Sequence, residues 1–149
     1  MIFARRTKTS ILLFQLLVLA GSCKVEPEPI VYGSDACHFC RMTIVERQYG
    51  AEMVTRKGKV YKFDAVECML NQLRDLDAES VALFQVNTYS RPGELIDATQ
   101  ASYLVSQEVP SPMGGYLTAF ESEAKAQIAR TKYSGTVYAW KEIRNRFKE

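Results

Sequence analysis

The sequence predicts an α+β fold of two tandem ββαβ units with a short C-terminal helix, and three observations predict it. Two β-forming runs, residues 51–55 and 60–63, flank Lys57-Gly58 as the arms of a hairpin would. A helical stripe of apolar residues follows at once, and the same order of elements returns after residue 99. The echo is clearest where Tyr61-Lys62-Phe63-Asp64-Ala65 matches Leu117-Thr118-Ala119-Phe120-Glu121-Ser122, an aromatic strand end meeting an acidic helix start. A single α+β domain is the plainer arrangement that the same runs allow.

Taken in order, the chain opens with basic Arg5, Arg6 and Lys8, an apolar run over residues 11–20, and small Ala20, Gly21 and Ser22 before Cys23. These are the three parts of a secretory signal, residues 1–22. The run is too short for a spanning helix, which needs roughly 20 consecutive apolar residues. A cysteine directly after Ala-Gly-Ser resembles the bacterial lipobox, although Ala20 stands where Leu is usual. That resemblance implies that Cys23 is acylated and becomes the new N-terminus, anchoring the chain to a membrane outside the cytoplasm. Lys24 in place of Asp after the lipidated cysteine favours the outer membrane. Residues 23–29 are charged and Pro-containing, cannot bury a core, and read as a short stiff tether.

The first unit is expected over residues 30–98. Residues 42–45 carry β-formers and read as a strand ahead of the hairpin. Asp64 fits an N-cap, with Glu67 three positions later completing a capping box. In the helix that follows, Val66, Met69, Leu70, Leu73 and Leu76 fall on one face, and residues 81–86 read as a buried strand. The second unit, residues 99–149, offers strands at 102–105 and 116–120. Its helix at 123–133 is closed by Gly135, a strand follows at 136–140, and a last short helix covers 141–147.

Composition sets outer bounds on function. With 149 residues, 47% of them hydrophobic and 24% charged, the chain suits one compact unit or two very small ones, which excludes a long multidomain enzyme. Its net charge of +2 misleads, because Arg5, Arg6 and Lys8 hold three of the 19 positive charges and no acid precedes Glu26. From Cys23 onward 16 bases face 17 acids, and nothing in that balance attracts nucleic acid.

The chemistry gathers in Cys37-His38-Phe39-Cys40-Arg41-Met42: two thiols, the chain's one histidine and a thioether. Soft donors of this kind select Cu(I) over hard cations. A zinc site would want four nitrogen or sulfur ligands, whereas the folded part supplies only Cys37, Cys40 and Cys68 as thiols. A c-type haem would need histidine where Arg41 stands. A thioredoxin-like pair would open a helix after a strand, and here a strand-like run follows Cys40. A disulfide between Cys37 and Cys40 stays open, since an exocytoplasmic compartment is oxidising, although so short a loop gains little from closure.

Cys68 lies on the helix after Asp64 but off its apolar stripe, so it reads either as a thiol acidified by the helix N-terminus, ready to ligate or transfer metal, or as a small buried residue. Met113 sits in Ser111-Pro112-Met113-Gly114-Gly115, where Pro and paired Gly fix and then bend the backbone. It can swing onto an ion held by the first cluster or plug a gap in the core.

Together the lipobox cysteine, the CxxCxM cluster ending in Cys40-Arg41-Met42, Tyr61-Lys62-Phe63-Asp64 with Glu67-Cys68, the Pro112-Met113-Gly114-Gly115 turn and the closing Val137-Tyr138-Ala139-Trp140 resemble the NosL family. These are copper-binding accessory lipoproteins of nitrous oxide reductase maturation. The resemblance covers nearly all of the folded chain, and no single motif is as specific as their order. It implies a pair of ββαβ units and delivery of Cu(I) to nitrous oxide reductase or another exported copper protein. Cys40, Met42 and Met113 match the family's characteristic positions; Cys37, His38 and Cys68 are further candidate ligands. No set of nucleophile, base and oxyanion donors points to catalysis. The competing readings are a thiol/disulfide redox lipoprotein and an interaction lipoprotein with a structural disulfide.

Overall fold

The computed structural model describes residues 24–148, so the expected signal peptide and lipidated Cys23 lie outside the described residues. Seven strands form two antiparallel sheets. The first holds β1 (Ala51–Thr55), β2 (Val60–Phe63), β3 (Val81–Asn87) and β4 (Leu95–Asp97) in the order β2-β1-β3-β4. The second holds β5 (Ser102–Val105), β6 (Leu117–Phe120) and β7 (Thr136–Ala139) in the order β6-β5-β7. Helix α1 (Val66–Gln72) follows β2, α2 (Glu123–Tyr133) follows β6, and α3 (Trp140–Arg146) ends the described chain. No helix among the described residues is long and apolar enough to cross a membrane.

Each sheet has the same plan: a first strand in the centre, its hairpin partner on one side, and the strand after the helix on the other. The registers also match. Ala51 opens β1 opposite Phe63, and Ser102 opens β5 opposite Phe120. The chain before each unit is sewn to the hairpin in the same way, His38 N donating to Lys62 O at 2.8 Å and Tyr89 N to Ala119 O at 2.9 Å. The α+β repeat read from the sequence is therefore present down to individual hydrogen bonds.

Several local expectations need correction. Residues 42–45 form no strand; a single bridge, Ala36 to Thr43, replaces it, because the chain reverses sharply through Arg41 at φ 67° and only Ile44 of the four is buried. Asp64 and Glu67 form no capping box. The N-cap of α1 is Ala65, without a side-chain bond. Both carboxylates are buried and find tertiary donors instead, the Val45 amide for Asp64 and the Ser111 hydroxyl for Glu67. Trp140 opens α3 rather than ending β7. Its indole packs 5.4 Å from the Phe84 ring of β3 and 5.9 Å from the Tyr103 ring of β5, bridging the sheets. Strand β4, three residues on the sheet edge, was too short to show an alternating pattern.

The core explains why α1 lacks a clean stripe. This helix packs on β1 and β2 and also meets β6 of the other sheet, so Val66 through Leu70 are all buried. One apolar cluster runs through both halves, from Met53, Phe63 and Met69 to Tyr103, Leu117 and Ile143. The end of the expected tether and the residues after it strap the first hairpin. Glu28 N donates to Glu52 Oε1 at 3.0 Å, and Lys62 Nζ donates to Pro29 O and Asp35 Oδ2, each at 2.8 Å.

Candidate metal centre

The site begins with a backbone reversal. Cys37 N donates to Met42 O at 2.8 Å and Arg41 N to Cys37 O at 3.0 Å, closing a tight loop that turns Cys40 back beside Cys37. Arg41 sustains the turn in the left-handed region, an uncommon conformation for a residue with a Cβ. The third thiol comes from α1, whose first turn sits under this loop. The Sγ atoms of Cys37, Cys40 and Cys68 all lie within 4.8 Å of one another, and none is in a disulfide. Three sulfurs held at about 2.3 Å from one ion would stand roughly 4 Å apart, so modest closure completes a trigonal site. Cys37 and Cys68 are fully buried and Cys40 only half-buried, which leaves one door to solvent.

The three thiols are electrostatically unequal. The hydrogen bond from Cys68 holds the Cys37 thiol down to about 5 against the opposing effect of burial, helped by the Asp64 and Cys40 amides. Cys68 is pushed far up, because it donates its proton to Cys37 and is itself buried. Burial raises Cys40 as well. Cys37 is therefore the thiol of the three that ionises most readily, with Cys68 and Cys40 shifted the other way. Of the two readings open for Cys68, the small buried residue fits its place in the core, and the most acidic thiol of the three is Cys37.

Of the remaining candidates, His38 is not among the clustered donor atoms, and the two methionines sit at more exposed positions. Met42 is 56% exposed, and what ties it to Cys37 is its carbonyl. His38 packs its ring edge-on to Tyr61 at 4.5 Å and to Phe63 at 6.4 Å; burial, with Arg41 and Lys59 nearby, lowers its proton affinity. Met113 is 36% exposed at the tip of a turn closed by Gly114 N to Ser111 O at 3.0 Å. Glu67, assigned to a cap by its spacing, was missed as the anchor of that turn. Paired glycines opposite a helix acid were the available signal.

Matching registers place a counterpart of this site beside the second hairpin, with Thr88 and Arg91 contributed from before residue 99. His38 corresponds to Tyr89 and Phe63 to Phe120, so Cys37, Cys40, Cys68 and Asp64 correspond to Thr88, Arg91, Lys125 and Glu121. There Glu121 accepts from Lys125, from Thr88 Oγ1 at 2.9 Å and from Ser90 Oγ at 3.1 Å, and lies 3.8 Å from Arg91. Burial alone would raise its carboxyl, but these bonds outweigh it and hold Glu121 at about 2. Where one half presents thiols, the other presents a closed ion-pair network.

Comparison with known proteins identifies the family and matches the fold. The NosL family model matches residues 30–147. The copper-binding lipoprotein NosL of Stutzerimonas stutzeri is 32% identical over 125 residues, covering 78% of this chain and 66% of that protein, just under two thirds of its length. The crystal structure of the copper chaperone NosL from Shewanella denitrificans matches with a TM-score of 0.70 at 23% identity, over 80% of this chain and 96% of the other.

Proposed function

The chain belongs to the NosL family, and on that premise we propose that it is a lipid-anchored, extracytoplasmic Cu(I)-binding chaperone, not an enzyme. It would carry copper to nitrous oxide reductase or a related exported copper protein. The observation that carries this reading is the triad itself: three free soft donors within 4.8 Å, with no fourth thiol among the described residues. Such a set suits a low-coordinate soft ion better than tetrahedral zinc.

Cu(I) is the cargo. It would enter past Cys40, meet the Cys37 thiolate, and displace the protons of Cys40 and Cys68 as they ligate. Met42 and Met113 at the exposed rim, with His38 behind, are the proposed auxiliary donors. Release runs by ligand exchange: a soft donor of the acceptor adds to the half-exposed side, and Cys40 leaves first. No electron changes hands. Thiol/disulfide exchange would use the same acidic Cys37, but its complete burial denies a protein disulfide the in-line approach that the chemistry needs.

Anaerobic titration with Cu(I) against a chromophoric chelator tests the reading. Expected is tight binding of about one ion per chain that disappears in Cys40→Ser and weakens in Met42→Ile. Binding untouched by both substitutions would sink it, and turnover on a disulfide substrate would favour the redox alternative.

A further inference from the structure

The proposed copper site is assembled from two halves of the chain, and one buried carboxylate spans them. Glu67 is 2% exposed in the first turn of α1, immediately before Cys68. Its Oε1 accepts a hydrogen bond from Ser111 Oγ, a residue 44 positions away on the far side of the domain sequence. Its Cγ and Oε1 also occupy the space a side chain would need at Gly115, where an added Cβ would fall 2.5 Å and 2.7 Å from them. Ser111 and Gly115 are the residues two before and two after Met113. A single side chain therefore grips the turn on both flanks of the methionine, while its own backbone neighbour supplies a thiol to the triad.

Packing alone gives no reason for a carboxylate there. Glu67 Oε2 makes no hydrogen bond of ordinary geometry, and besides Ser111 the polar groups acting on this carboxyl include the Gly115 and Leu117 amides that flank the start of β6. An apolar residue would fill the volume but could not accept from Ser111, and the turn would lose its link to α1. Leu117 N approaches the same hydroxyl at 3.4 Å, so the tie reaches the start of β6.

We infer that Glu67 is a positioning residue for the metal site, holding the Ser111–Gly115 turn so that the Met113 thioether is presented to an ion on the cysteine triad. This rests on the Cu(I) reading above. Groups that orient ligands in this way usually cost roughly 10–100-fold in metal affinity when removed.

The test uses the full chain in detergent, reduced and anaerobic, with Cu(I) competed against a chromophoric chelator and the sulfur neighbours of copper counted by X-ray absorption. Met113→Leu is expected to weaken binding by about tenfold or more and to remove one sulfur. Glu67→Ala should cause the same loss of affinity and of that sulfur, and the double variant should lose no more than either alone. Glu67→Gln, which still accepts from Ser111, should restore both. Ser111→Ala breaks the tie from the other end and should reproduce the loss if Glu67→Ala does not fold. The inference is overturned if the losses of Glu67→Ala and Met113→Leu add, if Gln fails to rescue, or if Met113→Leu changes neither affinity nor sulfur count. Failure of Cys40→Ser to alter binding would instead strike the copper reading itself.

Discussion

At the residue scale the three cysteines are not interchangeable. Cys37 carries the charge, Cys68 donates the proton that stabilises it, and Cys40 faces the opening. Replacing either buried thiol by serine is expected to weaken Cu(I) by more than roughly 100-fold, beyond what an orienting group costs, as chelator competition would register. Glu52 makes a separate prediction. Burial pushes its carboxyl up to about 7, against the Glu28 amide and Lys62, which pull the other way. The folded chain thus holds a proton that the unfolded chain releases near 4.5. That contribution to stability is full below 4.5 and lost as pH rises through about 7. Glu52→Gln keeps an acceptor for Glu28 N and should flatten the profile, gaining up to about 3 kcal/mol over the parent in urea unfolding at pH 8 and little at pH 4. A parallel profile in the variant would contradict it.

At the scale of elements, legibility followed where the stabilising contacts lie. Helix α2 was readable to the residue because its determinants are local: Ser122 caps it by accepting from Lys125 N, and Gly135 follows its end. The hairpin was readable for the same reason. Helix α1 was found in the right place but ends at Gln72, short of the expected Leu73 and Leu76, and it was misread in detail because both faces are buried by elements far away in sequence and its acids serve tertiary contacts. The triad was only half legible. Spacing announced Cys37 and Cys40, whereas Cys68 joins them because the loop over residues 37–42 is sewn to β2, which leads into α1, a tertiary pairing that no periodicity encodes. Trp140 shows the same limit, a β-former in sequence that becomes the bridge between two sheets. Trp140→Ala should cost about 3 kcal/mol in thermal or denaturant unfolding through lost packing on Phe84 and Tyr103. An unchanged midpoint would show the sheets held together by other contacts.

For the whole molecule, the proposed anchor and the site impose different requirements. The strap over residues 28–35 is fastened to the first hairpin through Lys62 and Glu52, so the chain comes off the expected tether beside the hairpin to which the Cys37–Met42 loop is sewn. Cys23→Ser is expected to move the protein from the membrane fraction to the soluble one without altering Cu(I) affinity. Membrane retention of that variant would point to attachment by another route.

The network of Thr88, Arg91, Lys125 and Glu121 has a bearing on how such a carrier is counted and copied. A duplicated backbone with one half silenced by charge delivers ions singly, and it brings its own negative control within the same chain. Frame and reactive groups are separable inheritances. Introducing Thr88→Cys, Arg91→Cys, Lys125→Cys and Glu121→Asp together should raise the Cu(I) stoichiometry from about one to about two ions. A chain that still binds one would mean that the two halves share their hydrogen bonds but not their capacity to close on a metal.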